Sequence, residues 1–139
     1  MEVKFLECDW FNLLVSIELV EYPTTREQQI IDEVLNSWFL LGKLGAFNAE
    51  NTQVQDEGVD INYLDYDSTA ESDLMAVMHN MGEITYSGKT VSCWFDLGTA
   101  DAICLDILLN SLKQLHKEYV QIDRVVISSE VREDDNSLN

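Results

Sequence analysis

The chain is short of bases: eight Lys and Arg face 26 Asp and Glu, leaving a formal net charge of −18 over 139 residues. Such a surface repels nucleic-acid backbones and anionic lipid heads. That excludes direct nucleic-acid binding and leaves basic proteins and cations as the natural partners. Cysteine is also scarce. Cys8, Cys93 and Cys104 are odd in number, widely spaced and without a C-x-x-C pair, which excludes a disulfide framework and fits reduced thiols in a cytoplasmic setting. Six glycines and one proline provide neither a Gly-rich phosphate loop nor a Pro-rich linker. The longer apolar runs, such as residues 101–109, are broken by acids and fall short of the ~20 residues a bilayer span needs. No membrane insertion is expected. Met1-Glu2-Val3-Lys4-Phe5 has no basic stretch leading an apolar one, so no secretory signal is expected either.

What is present is apolar: 46% of the residues are hydrophobic, the content of a folded domain and not of an acidic disordered segment. The acids must therefore be spread over the outside of a true core. The length suits one domain, expected over residues 1–128. Residues 129–139, with Glu130, Glu133, Asp134, Asp135 and little to pack, read as a frayed acidic tail.

Residues 12–20 place Val15, Ile17 and Leu19 on one side and Ser16 and Glu18 on the other, the period-2 signature of a half-buried strand. Pro23 stops it, and Thr24 with Glu27 matches a capping box. The helix that follows carries Ile31, Val34, Leu35, Trp38 and Leu41 on one stripe, with Gly42 or Gly45 as its left-handed cap. Residues 46–58 read as a loop, 59–66 as a strand with a bulge, 67–73 as an acidic turn and 74–81 as a strand. Ser87-Gly88-Lys89 joins a hairpin between residues 84–86 and 90–96. Thr99 is expected to cap a second helix, with Leu105, Leu108, Leu109, Leu112, Leu115 and Tyr119 as its buried stripe. A strand over residues 120–128 closes the domain. The order predicts an α+β two-layer sandwich of the ferredoxin-like type with an extra hairpin. Its sheet is antiparallel or mixed, with both helices on one face.

Candidate chemistry is thin. Asp65, Asp67, Thr69, Glu71 and Asp73 open like a calcium loop. However, Ala70 stands where glycine is needed and Ala76 where a bidentate glutamate is needed, so the stretch reads as a solvated turn. The cysteines and histidines show no ligand spacing, so no metal is expected. Cys93 and Cys104 read as small core residues, and His116 as a cation near a helix carboxyl end. Gly98-Thr99 lacks the glycines and the lysine of a phosphate cradle. His79, Cys93 and Asp96 are the groups an enzyme would use if they converged, yet no elbow or oxyanion loop accompanies them. No catalytic residue and no cofactor is assigned.

The aromatics have two readings. Trp10-Phe11, Trp38-Phe39 and Trp94-Phe95 place neighbours on different faces, so one of each pair can fill the core. The others, with Met75, Met78 and Met81, either fill it too or form an acid-rimmed binding face for a basic protein. Trp10, Phe11, Trp38, Phe39, Met78, His79, Trp94 and Asp96 are the candidate binding residues.

Three stretches stand out together: Cys8-Asp9-Trp10-Phe11-Asn12, Met78-His79-Asn80-Met81-Gly82 and Cys93-Trp94-Phe95-Asp96-Leu97-Gly98-Thr99. With Glu21-Tyr22-Pro23-Thr24-Thr25-Arg26-Glu27-Gln28 and Asp101-Ala102-Ile103, they resemble an uncharacterised family of domains of unknown function found in cyanobacteria and chloroplasts. The resemblance spans residues 1 to about 128. It implies an oxygenic-photosynthetic lineage, a cytoplasmic or stromal setting and a role in biogenesis, and it brings no activity, cofactor or site residue. The expected function is a non-catalytic interaction protein, an assembly or regulatory factor that binds a basic protein partner. The alternatives are a small-molecule or metal-dependent enzyme and a nucleic-acid mimic.

Overall fold

Alternating apolar residues dictate a sheet whose buried side is read directly from three strands. The computed structural model of the chain describes residues 1–47 and 76–130. Its elements are β1 (Glu2–Phe5), β2 (Leu13–Leu19), α1 (Thr25–Lys43), β3 (Asn80–Met81), β4 (Thr85–Ser87), β5 (Thr90–Asp96), α2 (Ile103–Glu118) and β6 (Ile122–Ser129). β2 buries Leu13, Val15, Ile17 and Leu19; β5 buries Val91, Cys93 and Phe95; β6 buries Ile122, Val125 and Ile127. The register stacks these residues in rows, with Val15 opposite both Cys93 and Ile127, and Ile17 opposite both Val91 and Val125.

Strand β2 is central and antiparallel to β5 on one side and β6 on the other. β3 and β4 share the far edge of β5, both antiparallel, and β1 adds a parallel edge to β6. The class is α+β, with two helices and a mostly antiparallel six-stranded sheet among the described residues. β1 is an addition to the expected order. Its four residues alternate Glu2, Val3, Lys4 and Phe5, too brief a run to announce a strand. The hairpin turn forms where expected, with Gly88 at φ 61°.

Helix α1 begins with the expected capping box: Glu27 N–H donates to Thr24 Oγ1 at 3.1 Å and Thr24 N–H to Glu27 Oε1 at 2.8 Å. Thr24→Ala is expected to cost about 1 kcal/mol of unfolding free energy in urea titration, because it removes an acceptor for an orphan helix amide. Ile31, Leu35 and Trp38 are buried as read, but Leu41 is 48% exposed and Gly42 is buried instead. The left-handed glycine is Gly45, at φ 83°.

α2 corrects the reading more sharply. It starts at Ile103, with Ala102 at its cap and no capping side chain, because the Thr99 hydroxyl is engaged elsewhere, accepting the Val77 amide at 3.0 Å. The buried stripe is Cys104, Leu108, Leu109, Leu112 and Leu115, while Leu105 is only half-buried and Tyr119 is 60% exposed. His116, near the carboxyl end of α2, ties the helix to β6: its Nδ1 accepts the Ile122 amide at 2.8 Å. The stripes of both helices join the buried strand residues in one core.

Across the other side of the sheet Arg124 grips Glu18 through two hydrogen bonds, Nε to Oε2 at 2.8 Å and Nη2 to Oε1 at 3.1 Å. The Arg124 hydrogen bond holds the Glu18 carboxyl below its ordinary range. A carboxyl lowered in the folded state stabilises above its unfolded pKa of about 4.3 and loses that contribution as pH falls through the lower folded value. Glu18→Gln is therefore expected to cost about 0.5 kcal/mol at pH 7, modest because the pair is a third exposed. The gap to the native chain should close in chemical denaturation under strongly acid conditions.

The expected loop, strand and turn over residues 46–73 and the calcium-like stretch lie, apart from Ala46, Phe47 and the expected ligand position Ala76, outside the described residues. Residues 131–139 of the expected tail and Met75 lie outside them too. Residues 76–79 carry no regular structure, so the strand read at 74–81 reduces to Asn80–Met81 in the described part.

Candidate functional site

The carboxyl end of β5, the amino end of β2 and the short β3 meet at one end of the sheet, where Leu13 faces Phe95 and Asn80 faces Asp96. The chain entering β2 is folded over this end. Asp9 N–H donates to Ser129 Oγ at 2.5 Å, Leu97 N–H to the Trp10 carbonyl at 3.0 Å, and the Trp10 indole to the Ala100 carbonyl at 2.9 Å. Asp9 also turns the chain locally, its Oδ1 accepting the Phe11 amide and its carbonyl the Asn12 amide. This is the asparagine-or-aspartate turn that small acceptors favour. Thr99 N–H donates to Val77 carbonyl, and His79 N–H to Asp96 carbonyl, both at 3.0 Å. Three separated stretches, around residues 10, 79 and 97, are thereby sewn into one surface.

At its centre His79 Nδ1 lies 3.4 Å from Asp96 Oδ1, the oxygen that also accepts the Gly98 amide at 2.9 Å. Asp96 thus holds the loop and lies beside the imidazole. The His79 side chain is 47% exposed and that of Asp96 22%. The Phe11 ring, 55% exposed, stands 6.3 Å from the His79 ring, centroid to centroid. Gly98, at φ +56°, lies so close under His79 that a Cβ there would meet His79 Cδ2 and the Val77 carbonyl oxygen, each at 2.5 Å. Trp94 is half-buried on the sheet side away from Phe95. Its indole donates to Asn12 Oδ1 at 2.6 Å, and Asn12 Nδ2 in turn donates to the Glu130 carbonyl.

Of the eight candidate residues, Trp10, Phe11, His79, Trp94 and Asp96 thus gather at this end. Trp38 and Met78 do not share the surface. Trp38 is a core residue, its ring edge-on to Phe95 at 5.0 Å and its indole donating to the Cys104 carbonyl at 2.9 Å. Met78 is 1% exposed and fills the space that a side chain at Gly42 would need. Phe39 is half-buried, 6.2 Å from Phe95. The reason is common to the three: each is drawn against the sheet's apolar side. Gly98 and Asn12 are positioning residues missing from the eight. Asp96-Leu97-Gly98, an acceptor two residues ahead of a glycine, was the available signal.

His79 and Asp96 converge, but Cys93 points to the buried side of β5. Its thiol lies 3.5 Å from the Gly82 carbonyl and burial pushes it up to about 12. Cys104, fully buried, is likewise raised to about 12 by desolvation. Neither supplies a thiolate at neutral pH. Cys8 is exposed, its thiol raised more modestly by partial burial. A disulfide-exchange reagent at pH 8 is accordingly expected to modify one thiol rapidly in the folded chain and three in denaturant. Rapid reaction of two or three in the folded state would contradict this burial.

Among the described residues no group of three or more His, Cys, Asp and Glu is placed to hold a metal ion, and no helix is long and apolar enough to cross a membrane. A separate groove of about 500 Å³ runs between the helices, walled by Ile30, Val34, Trp38, Phe47 and Ile107. Arg26, Glu33, Ser37 and Ser111 supply its polar lining.

A family model described as a protein of unknown function (DUF3531) matches residues 1–138. No curated protein and no solved structure matches the chain.

Proposed function

Since the chain belongs to the DUF3531 family, whose description carries no activity, we propose from its surface chemistry that it is a non-catalytic interaction protein. It docks a basic protein partner on the His79 end of its sheet. The observation that carries this is an exposed aromatic pair flanked by carboxylates. Phe11 and His79 stand exposed beside Asp9, Asp96 and Glu130. No Lys or Arg occurs in residues 6–12, 76–82 or 94–101, the segments that build the surface. A desolvated aromatic centre with a charged rim is how protein interfaces combine affinity with steering. The overall charge of −18 extends that steering over the whole molecule.

An assembly or regulatory factor in the cytoplasm of an oxygenic phototroph is the setting this reading favours. The support is the resemblance of the three converging stretches, together with three cysteines that are all free. A ferredoxin-like frame with both helices on one face accords with the antiparallel order β6–β2–β5–β4 and the helices that follow β2 and β5.

A small-molecule enzyme is the second reading, favoured by the His79–Asp96 pair alone. Without the Cys93 thiol it needs water or the substrate as nucleophile.

The test is retention of partners from the soluble extract of the source cells on the immobilised chain, in low and in high salt, with Phe11→Ala beside the native form. A protein of basic isoelectric point, released by salt and lost with Phe11→Ala, supports docking. Retention indifferent to both changes, or no retention, removes it.

A further inference from the structure

We infer that a single arginine side chain of the partner docks on the Phe11 and His79 rings beside Asp96; this rests on the docking reading above. Arginine presents a flat cation that stacks on aromatic faces and offers N–H groups in a plane, whereas lysine presents a compact ammonium that does neither. The site supplies a complement for each property. For stacking, the site offers two rings tilted by 32° with centroids 6.3 Å apart. Phe11 is 55% exposed, so its ring is open to a partner side chain.

For hydrogen bonding, Asp96 Oδ1 accepts the Gly98 N–H and lies 3.4 Å from His79 Nδ1. Its Oδ2 accepts nothing among the described residues. That acceptor and two tilted aromatic rings in an anionic field select a guanidinium over an ammonium. They also select it over any neutral group of the same shape.

The experiment uses the full chain and three octapeptides of Gly and Ser carrying one central Arg, Lys or citrulline, with binding followed by NMR at the His79 imidazole and the Phe11 ring. Citrulline keeps the planar shape and loses the charge. The Arg peptide is expected to shift both rings and to bind at least tenfold more tightly than the other two. Phe11→Ala and Asp96→Asn are each expected to weaken it at least tenfold. Asp96→Asn retains an oxygen for the Gly98 amide, and Phe11 is exposed, so unchanged amide spectra elsewhere will show that both variants fold. Equal binding of the Arg and Lys peptides, or shifts that avoid His79 and Phe11, would overturn the assignment. If the Arg peptide fails while a basic partner is still retained and released by salt, the arginine inference falls and docking stands. If no partner is retained at all, docking itself has failed.

Discussion

Trp38→Ala is expected to lower the unfolding free energy by about 3–5 kcal/mol, the largest effect of any single change considered, read as a shift in the urea midpoint. The residue is 3% exposed and joins the layers of the domain. Its ring meets Phe95 of β5 edge-on at 5.0 Å, lies nearly parallel to Phe47 at 6.4 Å, and its indole N–H reaches the Cys104 carbonyl of α2 at 2.9 Å. Alanine therefore leaves a cavity at the junction of α1, α2 and the sheet, and the loss is a large share of the 5–15 kcal/mol that holds a domain of this size. Trp38→Phe keeps most of the ring and loses the hydrogen bond. Its expected cost is smaller, about 1–2 kcal/mol. Similar losses for the two variants would show that packing contributes less than the geometry indicates.

Gly98→Ala is expected to cost about 2–5 kcal/mol and to disable the candidate site at temperatures where the chain remains folded. Two effects add. An L-residue at φ +56° is penalised by about 1–2 kcal/mol, and forcing a side chain into filled space costs about 1–3 kcal/mol more. The filled space is specific: the new Cβ would lie 2.5 Å from a backbone oxygen, Val77 O, and 2.5 Å from His79 Cδ2. The backbone oxygen is held by its bond to Thr99 N–H, so the imidazole is the group that yields. Displacing it breaks the approach to Asp96. Circular dichroism should show a cooperative fold with a lower midpoint, and the NMR resonances of His79 should move strongly. A His79 environment unchanged by Gly98→Ala would contradict the described contact.

What could be read beforehand follows the range of the interactions. β2 and α1 were legible because each carries its full signal within a short window: Val15, Ile17 and Leu19 at period 2, and Thr24 with Glu27 three residues on. The start of α2 was not, because Thr99 is as good a cap by local chemistry as any residue. Only the tertiary approach of Val77 diverts its hydroxyl. The same approach moved the helix start to Ile103 and brought Cys104 into the stripe where Leu105 was expected. β1 escaped notice because its partner, β6, lies at the other end of the chain, with Val3 facing Val125. The residues of the candidate site were visible as three unusual stretches, and Trp10, Phe11, His79, Trp94 and Asp96 were singled out within them. Their convergence was not visible, since it depends on the pairing of β3 with β5 and on the cover formed by residues 6–12. Trp38 was marked by its place on the α1 stripe, but nothing local distinguished Met78, which is buried, from Phe11, which is exposed. Hydrophobic residues at the ends of elements carry no mark of which side they face until the layers are assembled.

The most direct measurement places a photo-reactive phenylalanine analogue at position 11 and, as its control, at position 22 within the source cells. Tyr22 is 68% exposed, close to Lys89 at the hairpin end, and thus at the far end of the sheet from His79. The expected result is light-dependent coupling from position 11 to a basic protein, weak or absent coupling from position 22, and loss of the former in an Asp96→Asn background. Coupling from position 22 as strong as from position 11, or yields at position 11 indifferent to Asp96→Asn, would contradict a docking site at the His79 end of the sheet.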